Sequence, residues 1–129
     1  MGTVKDFEDL KIWQMARELC KDIFRITCYE FFVKDYKLKD QIKASSGSIM
    51  DNIAEGFERN GNREFIQFLT IAKGSSGESR SQLYRAFDYG YIEEKEFEEL
   101  RQKAKNLSQS IGAFITYLNK SEFKGTKFK

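Results

Sequence analysis

Apolar residues return every three or four positions along most of the chain, and that period predicts four helices. In residues 6–28, Trp13, Ala16, Cys20, Ile23 and Thr27 step 3-4-3-4 along one face, with Ile12, Met15, Leu19 and Ile26 beside them. Asp6 is positioned to cap this helix, with Asp9 near its positive end. The joint apolar arc is wider than a helix on the surface of a small bundle needs. After a connection at 29–37, residues 38–59 place Leu38, Ile42, Ser45, Ile49, Asn52 and Gly56 on an inward stripe. Asn60-Gly61-Asn62 then predicts a left-handed glycine C-cap followed by an asparagine N-cap.

The third helix is expected over 63–89, with Phe65, Leu69, Ala72, Ser76, Ser79, Leu83 and Ala86 facing inward and Gly90 ending it. The fourth, over 93–118, carries the cleanest pattern. Phe97, Leu100, Ala104, Leu107, Ile111, Phe114 and Leu118 form a nearly strict a/d seam, acidic at its start and basic in its middle. Four amphipathic helices with short connections predict an all-α fold, an antiparallel up-and-down four-helix bundle over 1–118. Residues 119–129 are too polar to pack and read as a loose basic tail.

Composition narrows the chemistry. The 129 residues include no proline, which suits long helices joined by glycine and asparagine. They include no histidine, which removes the commonest general base and metal ligand. Cys20 and Cys28 lie eight residues apart, about 12 Å along a helix, beyond disulfide reach. They read as buried thiols of a reducing compartment. With no secretory signal and no apolar run of membrane-spanning length, the expected location is cytoplasmic. The net charge of +2 is uneven: residues 119–129 carry four lysines against Glu122, a balance of +3, so residues 1–118 sum to −1.

Two segments are unusually rich in small residues, Ser45 to Gly56 with Gly47, and Ala72 to Ser79 with Gly74 and Gly77. Helix glycines cost up to about 1 kcal/mol against alanine. Close approach of the second and third helices is the expected reason. A phosphate-cradling loop is the rival, but the Gly-Lys-Ser ending of a P-loop is missing. Asn52 falls on the inward stripe with Glu55 beside it, where Ser48, Ser75 or Arg80 are in position to close a polar network. An enzymatic reading would use Asp51, Glu55 and Glu58, yet di-iron bundles need histidine. The sequence nominates no catalytic residue, cofactor or metal. Among basic residues, Lys39, Lys43, Arg59 and Arg63 are candidates for phosphate contacts. So are Lys124, Lys127 and Lys129 of the tail, interleaved with Phe123 and Phe128.

Several runs resemble one family. They are Phe7-Glu8-Asp9-Leu10-Lys11-Ile12-Trp13-Gln14-Met15-Ala16; Leu38-Lys39-Asp40-Gln41-Ile42-Lys43-Ala44 leading to Asn52-Ile53-Ala54-Glu55-Gly56; Glu64-Phe65-Ile66-Gln67-Phe68-Leu69-Thr70-Ile71-Ala72-Lys73-Gly74-Ser75; and Gly90-Tyr91-Ile92. Together they are similar to the bacterial four-helix-bundle proteins named for 23S rRNA intervening sequences, also called S23-like. The resemblance implies the same bundle, barrel-like homopentamers, no established enzymatic activity, and Asn52, Glu55 and Gly56 as structural motif residues. Through related accessory proteins of diversity-generating retroelements, it also implies RNA or DNA and a polymerase or reverse transcriptase as partners, with no membrane. A protein-binding adaptor without a nucleic-acid role is the alternative. The chain departs from the family in lacking proline near Ile49 and in showing Lys43 where arginines are usual.

Overall fold

The computed structural model describes residues 4–120. Among them are four α-helices and no strand: α1 (Lys11–Thr27), α2 (Tyr36–Glu58), α3 (Asn62–Asp88) and α4 (Glu94–Lys120). Each helix packs on the next, and α1 closes the ring against α4. The α2–α3 and α3–α4 contacts are the most extensive and α1 sits more loosely. The core is one apolar cluster fed by every helix, with Ala16, Ile23, Ile42, Ile49, Leu69, Leu83, Leu107 and Ile111 fully excluded from solvent.

The apolar pattern maps onto burial with informative exceptions. On α1 the core line is Ile12, Ala16, Leu19, Ile23 and Ile26, drawn from both lines of the wide arc. Trp13 and Met15 pack only partly against the core, and Phe7 meets Trp13 edge-on at 5.1 Å. Part of the excess apolar width is therefore covered within the chain itself. The first helix is also broken. Phe7–Asp9 forms a 3-10 turn, Leu10 is extended, and α1 begins only at Lys11. Asp6 and Asp9 serve that turn, with the Asp9 carboxylate accepting from the Lys5 and Asp6 amides at 3.1 Å.

The ends of α2 and α3 follow their local chemistry. Asp35 caps α2 by accepting the Leu38 amide at 3.0 Å and the Tyr91 hydroxyl at 2.8 Å. Gly90, at φ +81°, ends α3 with paired bonds from its own amide to the Phe87 carbonyl and from Tyr91 to Ala86, which satisfy carbonyls the helix end would orphan. The Asn60-Gly61-Asn62 reading needs correction. Extended Arg59 ends α2, Gly61 at φ +90° precedes α3, and Asn62 is the first residue of α3 rather than its cap. Its side chain is buried and turns toward α4, donating weakly to the Leu118 carbonyl at 3.4 Å.

The glycines divide. A Cβ on Gly56 would lie 2.7 Å from the Cβ of Phe68, so α2 and α3 do approach closely there. At Gly47, Gly74 and Gly77 a Cβ would meet nothing within 4 Å, and close packing does not explain them. Serines make the mid-bundle contact instead: Ser45 with Ser79 at 2.8 Å, Ser48 with Ser75 at 2.9 Å, and Ser76 with Ser108 at 2.9 Å. The thiols also differ from expectation, since Cys28 is exposed and Cys20 is half-buried.

Candidate nucleic-acid interface

The basic candidates do not form one patch. Lys39 and Lys43 lie one turn apart near the start of α2, on the side facing α1. Lys39 holds its ammonium 4.9 Å from the centroid of the Tyr36 ring and donates to the Val33 carbonyl. Lys43 reaches across to α1 and sits 5.4 Å from the centroid of Phe24. Both rings are large exposed apolar surfaces, 57% exposed for Phe24 and 70% for Tyr36. Neither lysine has a carboxylate within ion-pair distance among the described residues.

Arg59 and Arg63 stand about 30 Å away along α2, at the other end of the bundle. Arg59 pairs with Glu55 at 3.0 Å and lies over Phe68, and Arg63 is exposed in the first turn of α3. Because Asn62 touches Leu118, α4 finishes at this same end. Lys124, Lys127 and Lys129 lie outside the described residues.

Asn52 donates to the Ser48 carbonyl at 2.8 Å and to its hydroxyl at 2.9 Å, and that hydroxyl meets Ser75. Glu55 takes no part. It is exposed and turned to Arg59, so the polar network spans α2 and α3 without it. Asp51 and Glu58 are exposed as well. Among the described residues no three potential ligands converge as a metal site would require, and no helix is long and apolar enough to cross a membrane.

The opposite corner, between α1 and α4, is knitted by charge. Arg25 bonds Asp22 at 2.7 Å and Glu96 at 2.9 Å, Lys103 bonds Asp22 at 2.7 Å, and the Tyr29 hydroxyl donates to Glu96. Burial opposes ionisation of Asp22, but the bonds from Lys103 and Arg25 outweigh it and hold the carboxyl below the usual range. Burial and the Glu96 bond together push the Tyr29 hydroxyl up. These carboxylates are spent on holding α1 to α4 and leave the α1–α2 side free of their charge.

Sequence reasoning missed the rings beneath the lysines, Phe24 and Tyr36, and the pair of Arg17 over Trp13 at 5.8 Å. Trp13 with Arg17 and Tyr36 with Lys39 were visible in sequence, as an aromatic and a cation four and three residues apart on one helix, whereas Phe24 with Lys43 joins two helices.

Fold and side-chain arrangement define a four-helix bundle with a cationic, aromatic side face. The sequence matches the family described as 23S rRNA-intervening sequence protein over residues 8–113, and the chain belongs to that family. A crystal structure of a protein of unknown function from the S23 ribosomal protein family of Bacteroides thetaiotaomicron VPI-5482 is similar. Its TM-score is 0.72 at 23% identity, over 81% of this chain and 97% of that one, which bears on the fold alone. No curated protein matches.

Proposed function

We propose that this protein binds RNA and acts by binding rather than by catalysis. The observation that carries the reading is the pair Lys39 and Lys43, one turn apart, each steadied over an exposed ring and neither neutralised by a carboxylate. Ammonium groups held in this way are presented to a phosphate backbone without first breaking an ion pair. The family description, which names 23S rRNA, supports RNA as the nucleic acid. The non-catalytic part rests on a chain without histidine and on carboxylates Asp51, Glu55 and Glu58 that stand on the surface.

The reading includes self-assembly, as a homopentamer. Thr70, Gly74, Gly77 and Ser81 make an uncharged stripe on the outer face of α3, beside Ile71, which is 53% exposed. Small residues there let a second helix come close. Equilibrium sedimentation is expected to give a multiple of the 15.1 kDa chain, and a monomer mass overturns this part.

The test of binding is titration of a labelled structured RNA and a matched DNA duplex across a salt series. Affinity for the RNA is expected to fall steeply with salt, and Lys39→Gln with Lys43→Gln to reduce the slope by about 2. Undetectable binding at low salt overturns the proposal in favour of a protein-binding adaptor.

A further inference from the structure

The α1–α2 side of the bundle carries more than two lysines. On α1, Trp13, Arg17, Cys20 and Phe24 recur at spacings of 4, 3 and 4 and form one stripe. On α2, Tyr36, Lys39, Lys43, Gly47, Met50 and Ala54 recur at 3, 4, 4, 3 and 4. The stripes meet, because the Cys20 thiol donates to the Ser46 carbonyl at 3.1 Å and Lys43 covers Phe24. The helices run in opposite senses, so Arg17 and Trp13 continue the line toward Met50 and Ala54. From Tyr36 to Ala54 the seam is about 27 Å long at 1.5 Å per residue.

Three cation–aromatic pairs are distributed along it: Tyr36 with Lys39, Phe24 with Lys43, and Trp13 with Arg17. No acidic residue falls on either stripe. The nearest acids on α2, Asp40 and Asp51, are exposed beside its stripe, Asp51 near enough to help raise the Cys20 thiol pKa, and Glu18 of α1 is paired with Lys21. Arg17 likewise has no carboxylate partner among the described residues. Midway, Gly47 leaves the α2 backbone open, with nothing within 4 Å of where a side chain would begin.

We infer that this seam holds an unpaired stretch of nucleic acid, with Phe24 and Tyr36 stacking on bases beside Trp13, and Arg17, Lys39 and Lys43 on its phosphates. The inference rests on the nucleic-acid reading above and names the class of ligand. Cations alone would suit any polyanion, and the rings decide between them. A duplex keeps its bases stacked inside and presents phosphates, so Phe24 and Tyr36 would stay in water against it. A single strand offers each ring a partner on which to stack. At Phe24 and Tyr36, 57% and 70% exposed, a cation over one face leaves ring surface open to a base. The open backbone at Gly47 lets the strand pass without a side chain in its way.

Trp13 is the chain's one tryptophan, so its fluorescence reports on the seam directly. The experiment titrates the full chain with a short oligouridine, with a blunt RNA duplex of equal length, and with phosphatidylserine vesicles. The expected result is tighter binding of oligouridine than of duplex, with quenching of Trp13. Phe24→Leu with Tyr36→Leu keeps apolar bulk at two exposed sites. It is expected to cost at least about tenfold in oligouridine affinity with an unchanged Tm. Equal binding of strand and duplex, untouched by the leucine variant, overturns the seam and leaves RNA binding standing. Absence of binding to both nucleic acids overturns the two readings together. Binding to vesicles alone assigns the face to a membrane surface and overturns the inference. Oligomers that dissociate in the leucine variant assign it to a second copy and overturn it too.

Discussion

The Ser45 hydroxyl donates to Oε1 of Gln82 at 2.7 Å and so accepts from the Ser79 hydroxyl, 2.8 Å away, at the buried centre of the α2–α3 contact. Ser45→Ala strips both neighbours of a partner in a place that is 5% exposed at most. The expected cost is about 1–3 kcal/mol in urea unfolding. Ser81→Ala, on the exposed side of α3, is expected to change little. In a double-mutant cycle, Ser45→Ala and Ser79→Ala together should cost less than their sum.

Two glycine substitutions should move stability in opposite directions. Gly56→Ala drives a methyl to 2.7 Å from the Phe68 Cβ, with Phe65 at 3.0 Å, and must push α2 from α3. Destabilisation by about 1–3 kcal/mol is expected. Gly47→Ala points into open space within a helix, and a gain of about 0.5–1 kcal/mol is expected. Thermal melts of the two variants beside the parent decide the matter, and an equal loss in both would contradict the geometry.

Acid should loosen the bundle at two identifiable places. Amide and Tyr91 hydrogen bonds hold the Asp35 carboxyl below its usual range, as Lys103 and Arg25 do for Asp22 against the effect of burial. A carboxyl depressed in the folded state stabilises above its unfolded pKa, about 3.9 for aspartate. That contribution is lost as pH falls through the folded value. Stability measured by urea midpoints is therefore expected to decline below about pH 4. In Asp22→Asn the decline should be shallower, with a lower plateau at neutral pH.

The two thiols should react at different rates. Cys28 is exposed, whereas Cys20 is half-buried, bonded to Ser46, and pushed up in pKa chiefly by burial. A thiol reagent near pH 8 is expected to label Cys28 first and Cys20 slowly. Equal rates would mean that the α1–α2 seam opens readily.

The four helices and the α4 seam were legible because a strict 3-4 period admits one inward face. What stayed hidden depended on which neighbour each side of a helix meets. Asn52 and Gly56 lie on the predicted inward stripe of α2, yet Glu55 turns out to Arg59 and Gly47 faces open space. Composition alone gives no sign of those directions. The ring under Lys43 was missed for a related reason: Phe24 belongs to another helix, and only the α1–α2 contact brings it there. Lys39 lies in the first turn of α2 and Arg59 just past its last, so basic candidates that the sequence groups together stand at opposite ends of one helix.

Gly47 on α2 and Gly74 and Gly77 on α3 fall at nearly the same height, where serine hydroxyls join the helices. Both long helices thus combine weak intrinsic helicity with a polar contact at mid-length, while apolar layers grip them toward either end. Such a waist is where native-state breathing should begin. Amide exchange at residues 46–49 and 74–78 should outpace that of the flanking turns, and the bundle should flex as two stiff halves about this band.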